Sequence, residues 1–385
     1  MSIFVANVFV WQHQQYPTNN MYRAVRHIIT TIAVVFAGAY TLSAQELRIG
    51  AEFTTLFDNT EYAAMDNISS ATLFSSRLTP KLGVAWSERN TLMFGVDMVQ
   101  NFGHDSKFLS DANVQIYYAY KAPRVKVFAG IFPRSEMRGV RSGLFYDPTY
   151  LYYNNRIGGV LARYEDDKFS DSYVEFSMDY TGMRDFDTRE AFAITSSGHW
   201  NITAVYIGYD LYMGHYAKDY NPETRDGVVD NLLITPYLGY KFSANKHYRP
   251  IDFDLRVTYM QSLQRDRINE NVWQSPCGGE LYVNVEWCNI SLSNRLLLGG
   301  ESLLTYYSRY GAEVYHSVPL YRTNKGIYDA ITLSYKRGFF SDTVVVAAGI
   351  TAEYEGTGWG TRQWIELCVD LDYGISLNRK QRYIE

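Results

Sequence analysis

From about residue 45 onward the chain alternates between apolar and polar positions. Ile365, Leu367, Val369, Leu371, Tyr373, Ile375 and Leu377 interleave with Glu366, Cys368, Asp370, Asp372, Gly374 and Ser376. Ile251, Phe253, Leu255, Val257 and Tyr259 interleave with Asp252, Asp254, Arg256 and Thr258, and the same pattern runs through 280–287 and 174–180. A β-strand sends successive side chains to opposite faces, so each of these segments has one greasy face and one wet, often charged face. No helical period of comparable length competes. The pattern predicts strands at 47–55, 70–87, 90–103, 111–121, 124–132, 156–164, 171–181, 189–198, 201–214, 231–243, 250–262, 276–287, 289–299, 326–336, 341–354 and 360–377. That is an all-β chain of about sixteen strands, within a range of roughly fourteen to eighteen. Most are long enough for a tilted bilayer crossing, which takes about 9–11 residues, whereas soluble strands run nearer about 5–6.

The connections carry a second pattern. Long stretches such as 133–155, 215–230, 263–275 and 300–325 alternate with short ones such as 88–89, 199–200 and 288. Short turns on one side and long loops on the other are the signature of outer-membrane barrels. The parity places both chain ends on the short-turn, periplasmic side. In hydrocarbon an unpaired backbone N–H or C=O costs several kcal/mol, so such a sheet must close. The fold class is therefore a closed antiparallel transmembrane β-barrel, and one of this size is expected to leave a water-filled interior. The principal rival is a soluble sandwich, which would bury its greasy faces against each other.

The N-terminal region reads differently. Residues 28–40 form a short apolar run, preceded by Arg23, Arg26 and His27 and followed by Leu42-Ser43-Ala44-Gln45. It is too short for a spanning helix and has the layout of a secretory signal. Met21 stands where such a signal should begin. The organisation expected is an N-terminal extension at 1–20, a signal peptide at 21–44 cut after Ala44, the barrel at 45–378 and a polar tail at 379–385.

Composition sharpens this. Tyr numbers 34 and aromatics make up 16% of the chain. Trp86, Trp200, Trp287 and Phe339 fall beside short turns, as interface aromatics do in barrel girdles. The net charge of −5 argues against nucleic acid as a partner. Three cysteines exclude a disulfide-built scaffold, and Cys277 and Cys288 flank one extended strand, too far apart to pair.

The chain resembles the porin-like outer-membrane β-barrel proteins of Gram-negative bacteria over about residues 45–378. The resemblance is carried by Leu42-Ser43-Ala44-Gln45, the alternation, and the stretches LMFGVDMVQNFG (92–103) and VFAGIFPR (127–134). Gly130 through Pro133 is similar to strand ends in the phosphate- and sugar-porin group. The chain departs from the pattern at its end: the last strand stops near Leu377, NRKQRYIE follows, and Tyr383 is third from the terminus. The resemblance implies a location in the cell outer membrane. Its partners would be outer-membrane lipid, small hydrophilic solutes and the barrel-assembly machinery, with a homotrimer as the assembly it admits.

A search for chemistry yields little. There is no G-x-S-x-G, H-E-x-x-H, C-x-x-C or EF-hand loop. His104-Asp105-Ser106 lies in a predicted external loop, and Ser197 and His199 lie near a turn. Neither has the separation in sequence that triads normally bridge. No metal site and no cofactor is expected, although Asn, Asp and Glu clusters in 216–230 and 263–275 have the atoms to bridge a divalent ion. Glu175, Asp179, Asp252, Asp254, Arg256, Glu280, Glu286, Glu366, Asp370 and Asp372 fall on wet faces and are expected to face the lumen.

The long connection 133–155 stands out. It carries Arg134, Arg138 and Arg141 with Tyr150, Tyr152 and Tyr153. Guanidinium groups recognise carboxylate, sulfate or phosphate, and flat rings stack on sugars. These residues are the candidates for a pore constriction, against the plain alternative of an exposed cap. The function expected from sequence is a passive channel for small hydrophilic solutes, not an enzyme. A structural or surface-interaction barrel is the first alternative, and a barrel hydrolase such as a phospholipase the second.

Overall fold

A computed structural model describes residues 46–376, apart from 66–67, 105, 140–141, 167–170, 187, 219, 222–226, 245–250, 300–302, 312–313, 320 and 322–325. The extension, the signal peptide, the tail and Arg141 therefore lie outside the described residues.

The strands are β1 (Glu46–Glu61), β2 (Ala71–Ser87), β3 (Asn90–Asn101), β4 (Asp111–Lys121), β5 (Val125–Pro133), β6 (Arg156–Glu165), β7 (Tyr173–Gly182) and β8 (Ala191–Ile202). They continue as β9 (Val205–Tyr216), β10 (Val229–Ala244), β11 (Ile251–Asp266), β12 (Cys277–Trp287), β13 (Ile290–Gly299), β14 (Ile327–Phe339), β15 (Val344–Tyr354) and β16 (Trp359–Ser376). Each pairs antiparallel with its sequence neighbours, and β1 closes on β16 from Glu46↔Ser376 to Glu61↔Thr361. The sixteen-strand closed barrel expected from alternation is the fold observed. β1 runs further than the pattern predicts. Its last turn of alternation is polar rather than apolar, because Asp58 points inward and binds Arg362 of β16 through Nε at 2.8 Å.

The outer wall is apolar. Leu78, Val114, Ile116, Val160, Phe176, Leu238, Val257, Leu333, Ile350, Ile365 and Leu371 are all exposed there. Trp86, Trp200, Trp287 and Phe339 are exposed as well and sit at the short-turn ends of β2, β8, β12 and β14. Trp86 stacks on Tyr118 and Trp200 on Tyr209.

The interior corrects one expectation. It is not an open, water-filled hole, because two long connections fold into it. Residues 134–155, which include the helix α1 (Pro148–Tyr153), bury Leu144, Phe145, Tyr146 and Tyr152. The described residues between 303 and 321, which include α2 (Tyr307–Tyr310), bury Leu303, Leu304, Tyr315 and Tyr321. Apart from Tyr152, these side chains form one cluster with Phe128 and Phe132 of β5, Ile157 and Leu161 of β6, Leu233 of β10, Met260 of β11 and Leu297 of β13. Burying that apolar surface and the backbone hydrogen bonds of the connections offsets the entropy of ordering long loops.

Candidate functional site: the plugged lumen and its mouth

The 134–155 segment crosses the lumen and is tied down by charged pairs on both sides. Arg134 donates through Nη2 to Asp179 of β7 at 2.5 Å and to the Arg156 carbonyl at 2.8 Å, and through Nε to the Asn154 carbonyl at 2.9 Å. Its guanidinium lies over the Tyr146 ring at 5.2 Å. Glu175, also on β7, is only 1% exposed. It accepts from Arg163 at 2.8 Å and from the backbone N–H groups of Arg138 and Gly139 at 3.1 and 3.0 Å. Gly139 approaches the wall so closely that a Cβ there would sit 1.5 Å from the Ser197 hydroxyl, so only glycine fits. On the far side Ser75 donates to the Tyr152 hydroxyl at 2.8 Å, Arg77 donates to the Tyr152 carbonyl, and the Tyr153 hydroxyl donates to Asn101 at 2.7 Å. Buried charges survive when paired and fully hydrogen-bonded, and this segment meets that condition at both ends.

The second inward segment packs on β11 and β12. The Tyr315 hydroxyl donates to Gln264 at 2.6 Å, and the Tyr321 hydroxyl to Glu280 at 2.6 Å. Arg309 spans Asp266 and Glu270, both at 2.8 Å. Two acids of the stretch considered for a divalent ion are thus held by an arginine. Burial and the Asp266 carboxylate push the Tyr310 phenol up to about 12, so it stays a donor to that carboxylate. The two segments also bind each other: the Asp147 N–H donates to the His316 carbonyl at 2.6 Å, and the Val318 N–H to the Gly143 carbonyl at 2.7 Å. Sequence reasoning passed over 300–326. Its signal was composition, since Leu303, Leu304 and five tyrosines (306, 307, 310, 315, 321) make it too apolar for a solvated loop.

The candidate constriction residues are brought together unequally. Arg134 and Tyr152 are buried in the lumen, while Arg138 is half-buried between Asp171, at 3.1 Å, and the Tyr173 ring, at 4.7 Å. Tyr150 stacks on His316 with ring centroids 4.0 Å apart. Of the acids on wet faces, Asp179 and Glu280 join Glu175 as buried residues. Asp254 accepts from Tyr206 at 2.5 Å, and Arg256 lies between the Tyr237 and Tyr282 rings. Asp252, Glu286, Asp370 and Asp372 are exposed toward the short-turn rim, and Glu366 is half-buried. The triad candidates do not assemble. His104 is exposed on its loop and Asp105 lies outside the described residues. Ser197 is buried beneath Gly139, whereas His199 hydrogen-bonds Tyr237 and Asn201, each at 3.1 Å.

At the long-loop end the plug leaves a cavity of about 930 Å³. Its lining includes Arg134, Arg156, Arg189 and Arg309 with Asp179 and His316. It lies where the wall itself parts. The β6–β7 ladder stops at Gly159↔Asp179, although β6 runs back to Arg156 and β7 on to Gly182. The Asp179 carboxylate takes up the Gly158 N–H that has lost its strand partner, at 2.9 Å. Lumen-side Arg134 and outward-facing Tyr180 both line the cavity.

A family model described as lipid A 3'-O-deacylase-type matches residues 39–378. The chain belongs to that family. A family named for an enzymatic activity overturns the expectation of a non-enzymatic protein. No local motif pointed there, because the side chains around the mouth come from β5 to β9, the connection before β8 and both inward segments rather than from one signature. Among solved structures the chain is similar to a loop L8 deletion mutant of OmpT, an outer-membrane protein of Vibrio cholerae. Identity is 12%, 85% of this chain and 100% of that one are covered, and the TM-score is 0.50. It is also similar to an anion-selective porin from Comamonas acidovorans, with 11% identity, coverage of 84% and 98%, and a TM-score of 0.46. No curated protein matches the sequence. The fold is that of porin-like outer-membrane barrels, as the resemblance implied.

Proposed function

We propose that the chain is an outer-membrane hydrolase that releases an ester-linked acyl chain from a phosphorylated glycolipid of the lipid A type, working at the long-loop mouth with both termini periplasmic. The observation that carries this reading is the mouth cavity: four arginines and a histidine beside a parted seam, above a lumen packed shut. Arginine forks suit phosphate. A seam in the wall suits a substrate whose acyl chains stay in the membrane. Family membership agrees with it.

The chemistry assigned is ester hydrolysis. His316 takes a proton from a water molecule as the oxygen attacks the acyl carbonyl. A guanidinium of the cavity stabilises the tetrahedral oxyanion. The intermediate collapses, the sugar oxygen leaves and takes the proton back from His316, and a free fatty acid departs. Lipid A incubated with the purified protein in detergent and read by mass spectrometry should lose the mass of one acyl chain. His316→Ala should leave it intact. Intact lipid with the unaltered protein would reject the reading.

A second reading is favoured by the polar inner wall and by two deeper cavities, of about 190 and 260 Å³, lined by Arg138, Arg256 and Glu280 and by Arg48, Lys81 and Asp372. In it the chain is a passive channel for small hydrophilic solutes, with Arg134, Arg138 and Tyr150 at the constriction. Conductance in planar bilayers separates the two.

A further inference from the structure

One group of charges faces the wrong way for a lumen. On β8, β9, β10 and β11 the register aligns Ile194, Met213, Leu232 and Leu263 in a row. Their neighbours Ala193, Tyr212, Leu233 and Ser262 are buried inside, so this row lies on the outer wall. The next outward row toward the long loops is Phe192, His215, Asp230 and Arg265. Within one step of alternation the outer surface changes from four apolar side chains to three ionisable ones.

The row is built, not scattered. Arg265 donates to Asp230 at 2.9 Å, and Arg267, just past the strand, donates to both Asp230 oxygens at 2.6 Å. His215 lies 3.5 Å from the same carboxylate. Trp273 is exposed and lies against the Arg265 guanidinium at 4.6 Å. Arg267 is 48% exposed along its side chain. The bonds to Asp230 use Nε and Nη2 of each arginine, and among the described residues both Nη1 groups are left for another acceptor. Two guanidinium groups against one carboxylate leave the patch cationic. A charge on the lipid face costs about 2–4 kcal/mol at the bilayer midplane but about 0–1 near the interface. This row therefore belongs at headgroup level, with Trp273 as an interfacial ring beside it.

We infer that this outward row is a docking site for a membrane lipid carrying a phosphate monoester, held by Arg265 and Arg267 from outside the barrel. It requires the barrel to lie in a membrane but not that the chain hydrolyse anything. The row faces outward, whereas the mouth cavity lies on the inner side of the wall, where Ala191 of β8 and Tyr216 of β9 line it together with residues of β5, β6, β7 and the plug.

The test is native mass spectrometry of the full-length mature protein in mild detergent, with bisphosphorylated lipid A and its dephosphorylated form as probes. Bound lipid is scored by phosphate, whatever its acyl count, so hydrolysis does not affect the readout. The unaltered protein should retain the phosphorylated lipid and not the other. The Arg265→Gln/Arg267→Gln variant should lose one retained lipid per barrel, about tenfold or more in affinity for that lipid whatever the mouth holds, and Asp230→Asn, which frees both guanidinium groups, should gain. A heat-dependent shift on unboiled gels, equal in all variants, shows that the barrel is intact, and Asp230→Asn/Arg265→Gln/Arg267→Gln repeats the loss without leaving a lone carboxylate on the wall. Equal retention of the two lipids, retention unchanged in the arginine variants, or displacement by equimolar inorganic phosphate would each overturn the inference.

Discussion

Two stretches of the same wall solve opposite problems. Across β16, β1 and β2 the inner face is charged: Arg362 binds Asp58, Lys81 binds Glu52, and Arg48 lies 3.8 Å from Asp372 beside a cavity of about 260 Å³. Across β5 and β6 the corresponding face holds Phe128, Phe132, Ile157 and Leu161, all fully buried. Both stretches send apolar residues outward to lipid. What differs is their inner neighbour, which is water and charge in one case and an inward-folded segment in the other. A strand that has lost its wet face borders the apolar side of a plug, and a charged inner face borders either solvent toward the rim or, as at Asp179 of β7 and Arg77 of β2, the polar side of the plug.

The largest way to break this contrast is in the packed wall. Phe128→Ala/Phe132→Ala should cost about 3–5 kcal/mol per ring, seen as a fall in the temperature at which the compact gel form disappears. The same truncation at an exposed outer-wall residue such as Leu371 should cost less, since lipid replaces the lost contacts. Asp179→Ala strands Arg134 in the lumen and should cost about 3–5 kcal/mol, whereas Asp179→Leu/Arg134→Met should recover much of it. Equal losses in the single and double variants would mean that the pair does not act as a unit.

Arg362→Ala removes a partner of a buried Asp58 but at the more open wall, and should cost about 1–3 kcal/mol. Asp372→Asn, on the exposed rim, should stay within about 0.5 kcal/mol. Denaturant midpoints for the four sites should fall in that order. A rim effect as large as the Asp179 effect would erase the distinction between the walls.

The barrel was legible because the bilayer imposes a period-two signal that helices and solvated loops lack. Trp86, Trp200, Trp287 and Phe339 were legible for the same reason, since strand ends and headgroup level coincide. The end of β1 was not, because Asp58 and Arg362 recognise each other across three hundred residues of sequence and alternate without greasy residues. The plug was half legible. Arg134 and the tyrosines of 133–155 marked one inward segment, whereas the wall it packs on, with Phe128 and Phe132 on what should have been a wet face, went unread. The mouth was legible only in part: Arg134, Tyr150 and Asp179 were singled out, but His316 and Arg309 come to the same cavity only after two loops fold inward.

The lumen is closed by its own connections, and single-channel recording in planar bilayers tests this most directly. The unaltered protein should insert and pass almost no current, and a variant with 134–155 and 300–326 both replaced by short turns should give stable conductance steps. Large, stable steps from the unaltered protein would contradict it.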